Sequence, residues 1–409
     1  MTVKQLYYRT FQGVMKYAVV GFDWKQPELL TGAGSVKELP AYVKAHGARK
    51  VLLVTGSGLA KLGLPNGLME ALEQMGIGVS LFSEVLPNPT IPVIENAVEQ
   101  YKRDNCDTIV AFGGGSPMDC AKVVGARIAK PNKQIPDLRG VLRVGFADAV
   151  LRRKPSGFPP LYAVPTTAGT GSETTVAAIV SNPETHEKFP INDPALRPRA
   201  AVLDPELTVG LPKHITSTTG MDALTHAVEA FIGRSNTKDT EAKALEATTL
   251  IFGNLEKVYE NGADIEARQN MLIASFYAGV AFTRAYVGYV HAIAHNLGGL
   301  YNVPHGLANA IILPHMLEWY GDAAVPRLAK LAEAAGILGA TDAEKAHEFI
   351  LAIKQMNASM DIPEKLDCIR AEDIPTLADR ALAEGNPLYP VPKLMDKPQC
   401  EAFIQSLMA

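Results

Sequence analysis

Apolar positions in the first half of the chain fall into short continuous runs. Residues 50–55 (Lys-Val-Leu-Leu-Val-Thr), 79–82, 108–112 (Thr-Ile-Val-Ala-Phe), 160–164 and 200–203 are rich in aliphatic and β-branched side chains. Runs of this kind are strands buried on both faces. Between them, 68–75, 93–105 and 120–128 carry apolar residues at helical spacing. Strand and helix in alternation predict a mostly parallel sheet covered by helices. From about Thr208 the strand runs cease, and Ala/Leu/Glu-rich stretches such as 239–253 and 323–335 are helical in period. The pattern predicts an α/β domain over 1–207 and an all-α domain over 208–409, divided at Asp204-Pro205-Glu206-Leu207. The two are expected to pack closely with the site between them. Residues 1–25 are an extension, in which Leu6, Tyr7, Tyr8, Phe11, Val14, Met15 and Tyr17 supply apolar surface. That surface suits pairing along a sheet edge or an arm lying on its own domain.

Composition narrows the class. With 47% hydrophobic and 20% charged residues the chain is built to fold compactly. A net charge of −4 gives no electrostatic reason to expect nucleic acid or an anionic membrane as partner. The basic runs Arg152-Arg153-Lys154 and Arg197-Pro198-Arg199 are short enough for solvated loops. Cys106, Cys120, Cys368 and Cys400 show no C-x-x-C pair, which suits a reducing compartment without disulfides. Residues 17–22 are too short for a signal-peptide core, and no run reaches the roughly 18–20 apolar residues of a membrane helix. A cytoplasmic protein is expected.

Two loops carry candidate chemistry. Gly113-Gly114-Gly115-Ser116-Pro117-Met118-Asp119 joins a strand to a helix. Its glycines let backbone approach a pyrophosphate, and the helix offers free N–H groups. It is not G-x-G-x-x-G, and alone it is equally an unliganded turn. Val164-Pro165-Thr166-Thr167-Ala168-Gly169-Thr170-Gly171-Ser172-Glu173 also follows a strand. Two such loops at the ends of one sheet favour a Rossmann-like dinucleotide site.

The helical half holds a second constellation. Asp222 and His226 are four residues apart on one helix face, as are His291 and His295, and His305 lies in a Pro304-His305-Gly306 loop. One carboxylate with several imidazoles suits Fe²⁺ or Zn²⁺ and not Ca²⁺ or Mg²⁺. Any single histidine here is better read as structural; two i,i+4 pairs and a Pro-His-Gly loop in one helical half weaken that reading sharply. The H-E-x-x-H of zinc proteases is missing. His46, His186, His214, His315 and His347 are assigned structural or surface places.

With these segments in view, the chain resembles the iron-containing (group III) alcohol dehydrogenase family from about Glu28 to Ala409. The motifs that carry the resemblance are the two loops, Gly220 to Glu229, and His291 through Pro314. The resemblance implies a dehydroquinate synthase-like architecture, an α/β domain for NAD or NADP and a helical domain for one Fe²⁺ or Zn²⁺. It implies metal ligation by Asp222, His226, His291 and His305, and a proton relay at His295. Nucleotide contacts would come from Asn88, Gly114, Gly115, Ser116, Asp119, Thr166, Thr167, Thr170 and Leu207, with Lys188 near a ribose. Phe282 would wall the substrate pocket. The family often has an aspartate where this chain has Gly56; here Gly56 and Ser57 are read as cofactor contacts able to receive a 2′-phosphate.

The implied reaction is hydride transfer between a nicotinamide and a small alcohol or aldehyde held at the metal, in a homodimer or higher homo-oligomer. Competing readings on the same fold are a glycerol dehydrogenase and a hydroxyacid–oxoacid transhydrogenase. Dehydroquinate synthase would need more basic residues than Arg284 around 284–306. A non-enzymatic nucleotide- and metal-binding protein is the alternative from another class. Rates of NAD(P)H oxidation with an aldehyde panel separate it from an enzyme.

Overall fold

The computed structural model describes residues 2–18, 24–151, 154–185 and 187–409. Arg152, Arg153 and His186, placed above in loop or surface roles, lie outside the described residues. The chain divides into two compact units, Gly21–Gly210 and Met1–Val20 with Leu211–Ala409. The first residues therefore do not belong with the α/β unit, as the sequence pattern suggested. They form a helix, α1 (Val3–Ala18), and not a sheet-edge strand. The physical reason is polar: Arg9 donates to the carbonyls of Val391 and Pro392, and Gln12 to that of Tyr389.

In the α/β unit the strands are β1 (Glu28–Thr31), β2 (Lys50–Gly56), β3 (Gly78–Val85), β4 (Thr108–Gly113), β5 (Gly140–Val141), β6 (Leu161–Pro165), β7 (Ala177–Asn182), β8 (Glu187–Asn192) and β9 (Ala200–Leu203). Six of them make a sheet in the order β1-β9-β6-β4-β2-β3, parallel throughout. The helices are α2 (Leu39–Ala45), α3 (Ser57–Lys61), α4 (Asn66–Gln74), α5 (Ile91–Arg103), α6 (Gly115–Ala129) and α7 (Phe146–Val150). Alternate residues of β2 serve opposite faces. Val51 and Leu53 pack with Leu39, Val43, Leu68 and Leu72 from α2 and α4. Leu52 and Val54 pack with Ile94 and Val98 of α5 and Ala121 and Val124 of α6. Burial on both sides is why these strands read as unbroken apolar runs.

From β2 the chain steps to β3 on one side and then to β4 on the other. The strand order thus reverses between β2 and β4, the place where open α/β sheets bind ligands. A second sheet, β5-β8-β7, is built on the β7/β8 hairpin. Its alternating exposed and buried residues gave no continuous run, so the sequence pattern passed over it.

The helical unit adds α8 (Lys213–Ile232), α9 (Lys238–Glu260), α10 (Ile265–Ala285), α11 (Tyr289–Tyr301), α12 (His305–Tyr320), α13 (Val325–Ala334), α14 (Asp342–Ser359), α15 (Ile374–Gly385) and α16 (Lys397–Ser406). From Gly220 to Ile232 every residue of α8 is buried, so it is the central helix, packed by α9, α10 and α12. Tyr286, at φ 67°, closes α10, and α11 departs at 103° to it. Among the described residues no single helix is long and apolar enough to cross a membrane. All four cysteines are free.

Candidate metal centre and nucleotide loops

Three helices bring four ligand atoms together. Asp222 and His226 are one turn apart on α8, His291 sits in the first turn of α11, and His305 is the first residue of α12. One donor atom from each lies within 4.8 Å of the others. Glycine makes the approach of α12 possible, since a Cβ at Gly306 would stand 2.3 Å from the Thr218 carbonyl oxygen of α8. Asp222, His226 and His291 are buried, and His305 is partly open.

Glu229, one further turn along α8, fixes His291. Its carboxylate lies 2.6 Å from His291 Nδ1 and accepts the backbone N–H groups of Gly288 and Val290. Burial pushes the Glu229 carboxyl up to about 7, against those hydrogen bonds. Burial, with His226 and His305 nearby, holds His291 well below the usual imidazole value. His291 is thus neutral, with Nδ1 committed to Glu229 and Nε2 turned toward the cluster. A carboxylate behind a histidine in this way is the usual support of a metal ligand.

Asn309 tests whether the cluster fits an ion. Its Nδ2 lies 2.6 Å from Asp222 Oδ1, 3.2 Å from His291 Nε2 and 3.1 Å from His305 Nε2. Two amide hydrogens cannot serve three acceptors. Its Oδ1 is buried without a hydrogen-bond partner. Lone pairs outnumber protons at this spot, and a carboxylate with three imidazoles is a donor set for Fe²⁺ or Zn²⁺. The residues fit a divalent transition-metal ion.

Two more sequence-selected residues join the cluster. The Phe282 ring stacks on His226 at 4.1 Å between centroids, and His295 stacks on His305 at 5.0 Å. His295 Nδ1 lies 2.6 Å from Glu384 Oε1, which also accepts the Tyr389 hydroxyl at 2.9 Å. Sequence reasoning missed Glu229, Asn309 and Glu384. The first two had a signal: Glu229 follows Asp222 by seven residues and Asn309 follows His305 by four. Glu384 is 89 positions from His295 and had none.

In the α/β unit the two loops meet. A Cβ at Gly114 would lie 3.1 Å from Thr167 Oγ1, and one at Gly115 3.1 Å from Thr170 Cγ2. Asn88 donates its backbone N–H to Ser116 Oγ and accepts from Lys188 Nζ. Thr166 is buried, its N–H bonded to the Gly113 carbonyl. Asn88, Gly114, Gly115, Ser116, Thr166, Thr167, Thr170 and Lys188 are therefore one continuous patch at the start of α6. Four others stand elsewhere. Both Asp119 oxygens are taken, by the Ser172 hydroxyl and the Ile179 N–H, so Asp119 orders the second loop from within. Gly56 and Ser57 open α3 at the end of β2. Leu207 lines a cavity of about 210 Å³ with Val36, Leu64, Leu68 and Phe112, at the carboxyl ends of the strands.

A doubly covered parallel sheet with small-residue loops after β4 and β6, and a helical unit with an Asp/His₃ cluster, fit a metal-dependent dehydrogenase. Comparison with known proteins makes this specific. Residues 27–205 match the iron-containing alcohol dehydrogenase family and residues 216–408 the C-terminal part of the same family, so the chain belongs to it. It is 37% identical to an NAD-dependent methanol dehydrogenase of Bacillus methanolicus over 88% of this chain and 92% of the relative. It is 38% identical to a 1,3-propanediol dehydrogenase of Klebsiella pneumoniae over 89% and 93%. A crystal structure of 1,3-propanediol oxidoreductase superposes with a TM-score of 0.88 at 35% identity, covering 95% of this chain and all of that one. The protein is an oxidoreductase of alcohols and aldehydes.

Proposed function

We propose that this enzyme interconverts a small primary alcohol and its aldehyde with a nicotinamide nucleotide, at one ion held by Asp222, His226, His291 and His305. The convergence of those four donors within 4.8 Å carries the reading. The names of the relatives support the substrate class and NAD as a cofactor. When bound, the ion supplies the Lewis acidity that polarises the substrate oxygen.

The side chains do the rest. Glu229 keeps His291 in the tautomer that offers Nε2. Phe282 covers His226 and gives the substrate carbon an apolar wall. Oxidising an alcohol releases a proton, and His295 takes it. With Nδ1–H donated to Glu384, its Nε2 is the basic nitrogen, and Glu384 steadies the ring when it is charged. The Gly114–Ser116 backbone at the start of α6 holds the pyrophosphate, with Thr167 and Thr170 beside it. The apolar cavity containing Leu207 takes the adenosine end.

Initial rates with a panel of C1–C4 alcohols and aldehydes, in both directions and with both nucleotides, test the proposal. Turnover of small primary alcohols that is lost on metal removal and regained on Fe²⁺ or Zn²⁺ addition is expected. Turnover unaffected by chelation refutes it.

A further inference from the structure

Helix α1 lies ahead of the residues that match the family, 27–205 and 216–408. Its polar contacts converge on one segment of the helical unit. After α15 the chain runs Asn386-Pro387-Leu388-Tyr389-Pro390-Val391-Pro392. Its prolines bring no N–H donors, so this stretch cannot build a helix or ladder of its own, and its carbonyls need donors from elsewhere. Gln12, only 5% exposed, donates to the Tyr389 carbonyl at 2.8 Å. Arg9 donates one guanidinium nitrogen to the Val391 carbonyl at 2.7 Å and the other to that of Pro392 at 3.0 Å. It also donates to Gln12 Oε1 at 2.9 Å, which fixes the pair to each other. The Pro390 carbonyl accepts the Arg234 N–H, and the Arg234 carbonyl in turn accepts Lys16 Nζ. Four consecutive carbonyls are thus tied, directly or through Arg234, to three side chains of α1.

The same segment bears on the supports of the metal cluster. The Tyr389 hydroxyl donates at 2.9 Å to Glu384 Oε1, the oxygen that lies 2.6 Å from His295 Nδ1. Burial beside Glu384 holds the Tyr389 phenol well above its usual value, so it keeps its proton and remains a donor. The Glu384 side chain is 26% exposed. A carboxylate with that much access to water and one histidine as partner could turn outward; a hydroxyl pinned from behind removes that freedom. Little slack is left around it. A Cβ at Gly385 would stand 3.0 Å from the ring of Tyr289, the first residue of α11. A Cβ at Gly288, whose N–H goes to Glu229, would stand 3.4 Å from Val391 Cγ1.

We propose that α1 is a clamp on the proton relay, given the reading that His295 takes the alcohol's proton. Arg9 and Gln12 hold the backbone at Tyr389, and the Tyr389 hydroxyl holds Glu384 against His295. All three act through Glu384 and are positioning residues.

Steady-state kinetics of full-length variants, with metal analysis alongside, test the clamp. Tyr389→Phe, and the pair Arg9→Met with Gln12→Leu, are each expected to lower kcat roughly tenfold, part of what a displacement of about 1 Å at a reacting group can cost. KM for the nucleotide and the bound metal are expected to stay at wild-type values. With all three substitutions in one chain, kcat is expected to fall no further than in Tyr389→Phe alone, because they act through one hydroxyl. Losses that multiply, or wild-type kcat in either variant, overturn the clamp and leave the relay standing. Lost metal or a raised nucleotide KM in these variants also overturns it, since α1 then serves only to hold the unit together. His295→Ala, run in parallel, separates the two readings: full turnover there removes the relay itself, and the clamp with it.

Discussion

At the scale of single residues, the cluster separates ligands from helpers, and the two should fail differently. His305→Ala and Asp222→Asn are expected to lose bound metal and turnover together; full occupancy by metal analysis in His305→Ala would remove that residue from the ligand set. Glu384→Gln and His295→Ala are expected to keep the metal and lower kcat by roughly 10²-fold or more, the scale of general acid–base catalysis. A Glu384→Gln enzyme with unchanged kcat and pH profile would break the link to His295. Cofactor choice is expected to turn on one position. Gly56 has an ordinary φ of −87°, and a Cβ there would sit 3.3 Å from the Val85 carbonyl oxygen, so an aspartate fits after a small shift. A carboxylate there would hydrogen-bond ribose hydroxyls and repel a 2′-phosphate. NADP(H) is therefore expected to serve at least as well as NAD(H), and Gly56→Asp to move the kcat/KM ratio toward NAD. A wild type strongly selective for NAD, with the ratio unmoved by Gly56→Asp, contradicts this. The cluster was legible because a helix repeats every three to four residues, so Asp222/His226 and His291/His295 announced shared faces; which of its members would ligate came from the family resemblance alone. Glu384 was silent because only folding brings α15 to α11.

At the scale of elements, α6 does more than present its N-terminus. Lys122, fully buried two turns into that helix, donates to Ser172 Oγ, Thr175 Oγ1 and the Ala177 carbonyl, and burial lowers its ammonium to about 8. With Asp119 it ties the glycine loop to the threonine loop from beneath. Lys122→Met is expected to raise KM for the nucleotide about tenfold or more while KM for the alcohol and the metal content hold; equal rises in both KM values would indicate general loosening instead. The strands and helices around these loops were readable as long apolar runs and helical spacings. The β7/β8 hairpin was not, because half of its residues face outward. Nor was α1, whose docking depends on Arg9 and Gln12 bonding to carbonyls some 380 residues away, which no local pattern can announce.

At the scale of the whole molecule, stability should follow pH through a buried acid outside the metal cluster. Burial raises Glu173 to about 7 from an ordinary 4.5, so the folded chain keeps a proton that the unfolded chain releases. The stability this group contributes is full below pH 4.5 and is lost as pH rises toward 7. Tm measured from pH 5 to 7 should fall less steeply in Glu173→Gln than in wild type; parallel curves would exclude the carboxyl as the cause. The division into an α/β and a helical half was visible as a change of period near residue 208, and the units meet at 210/211. What the sequence could not show was which atoms converge. The account rests on one ion per chain, seated among Asp222, His226, His291 and His305 and required for hydride transfer. The most direct measurement is anaerobic titration of metal-stripped enzyme with Fe²⁺, following bound metal and turnover together. Turnover is expected to rise in proportion to bound iron and to stop at one equivalent, with no such rise in His305→Ala. Activity in the stripped enzyme, or one equivalent bound without activity, would contradict the account.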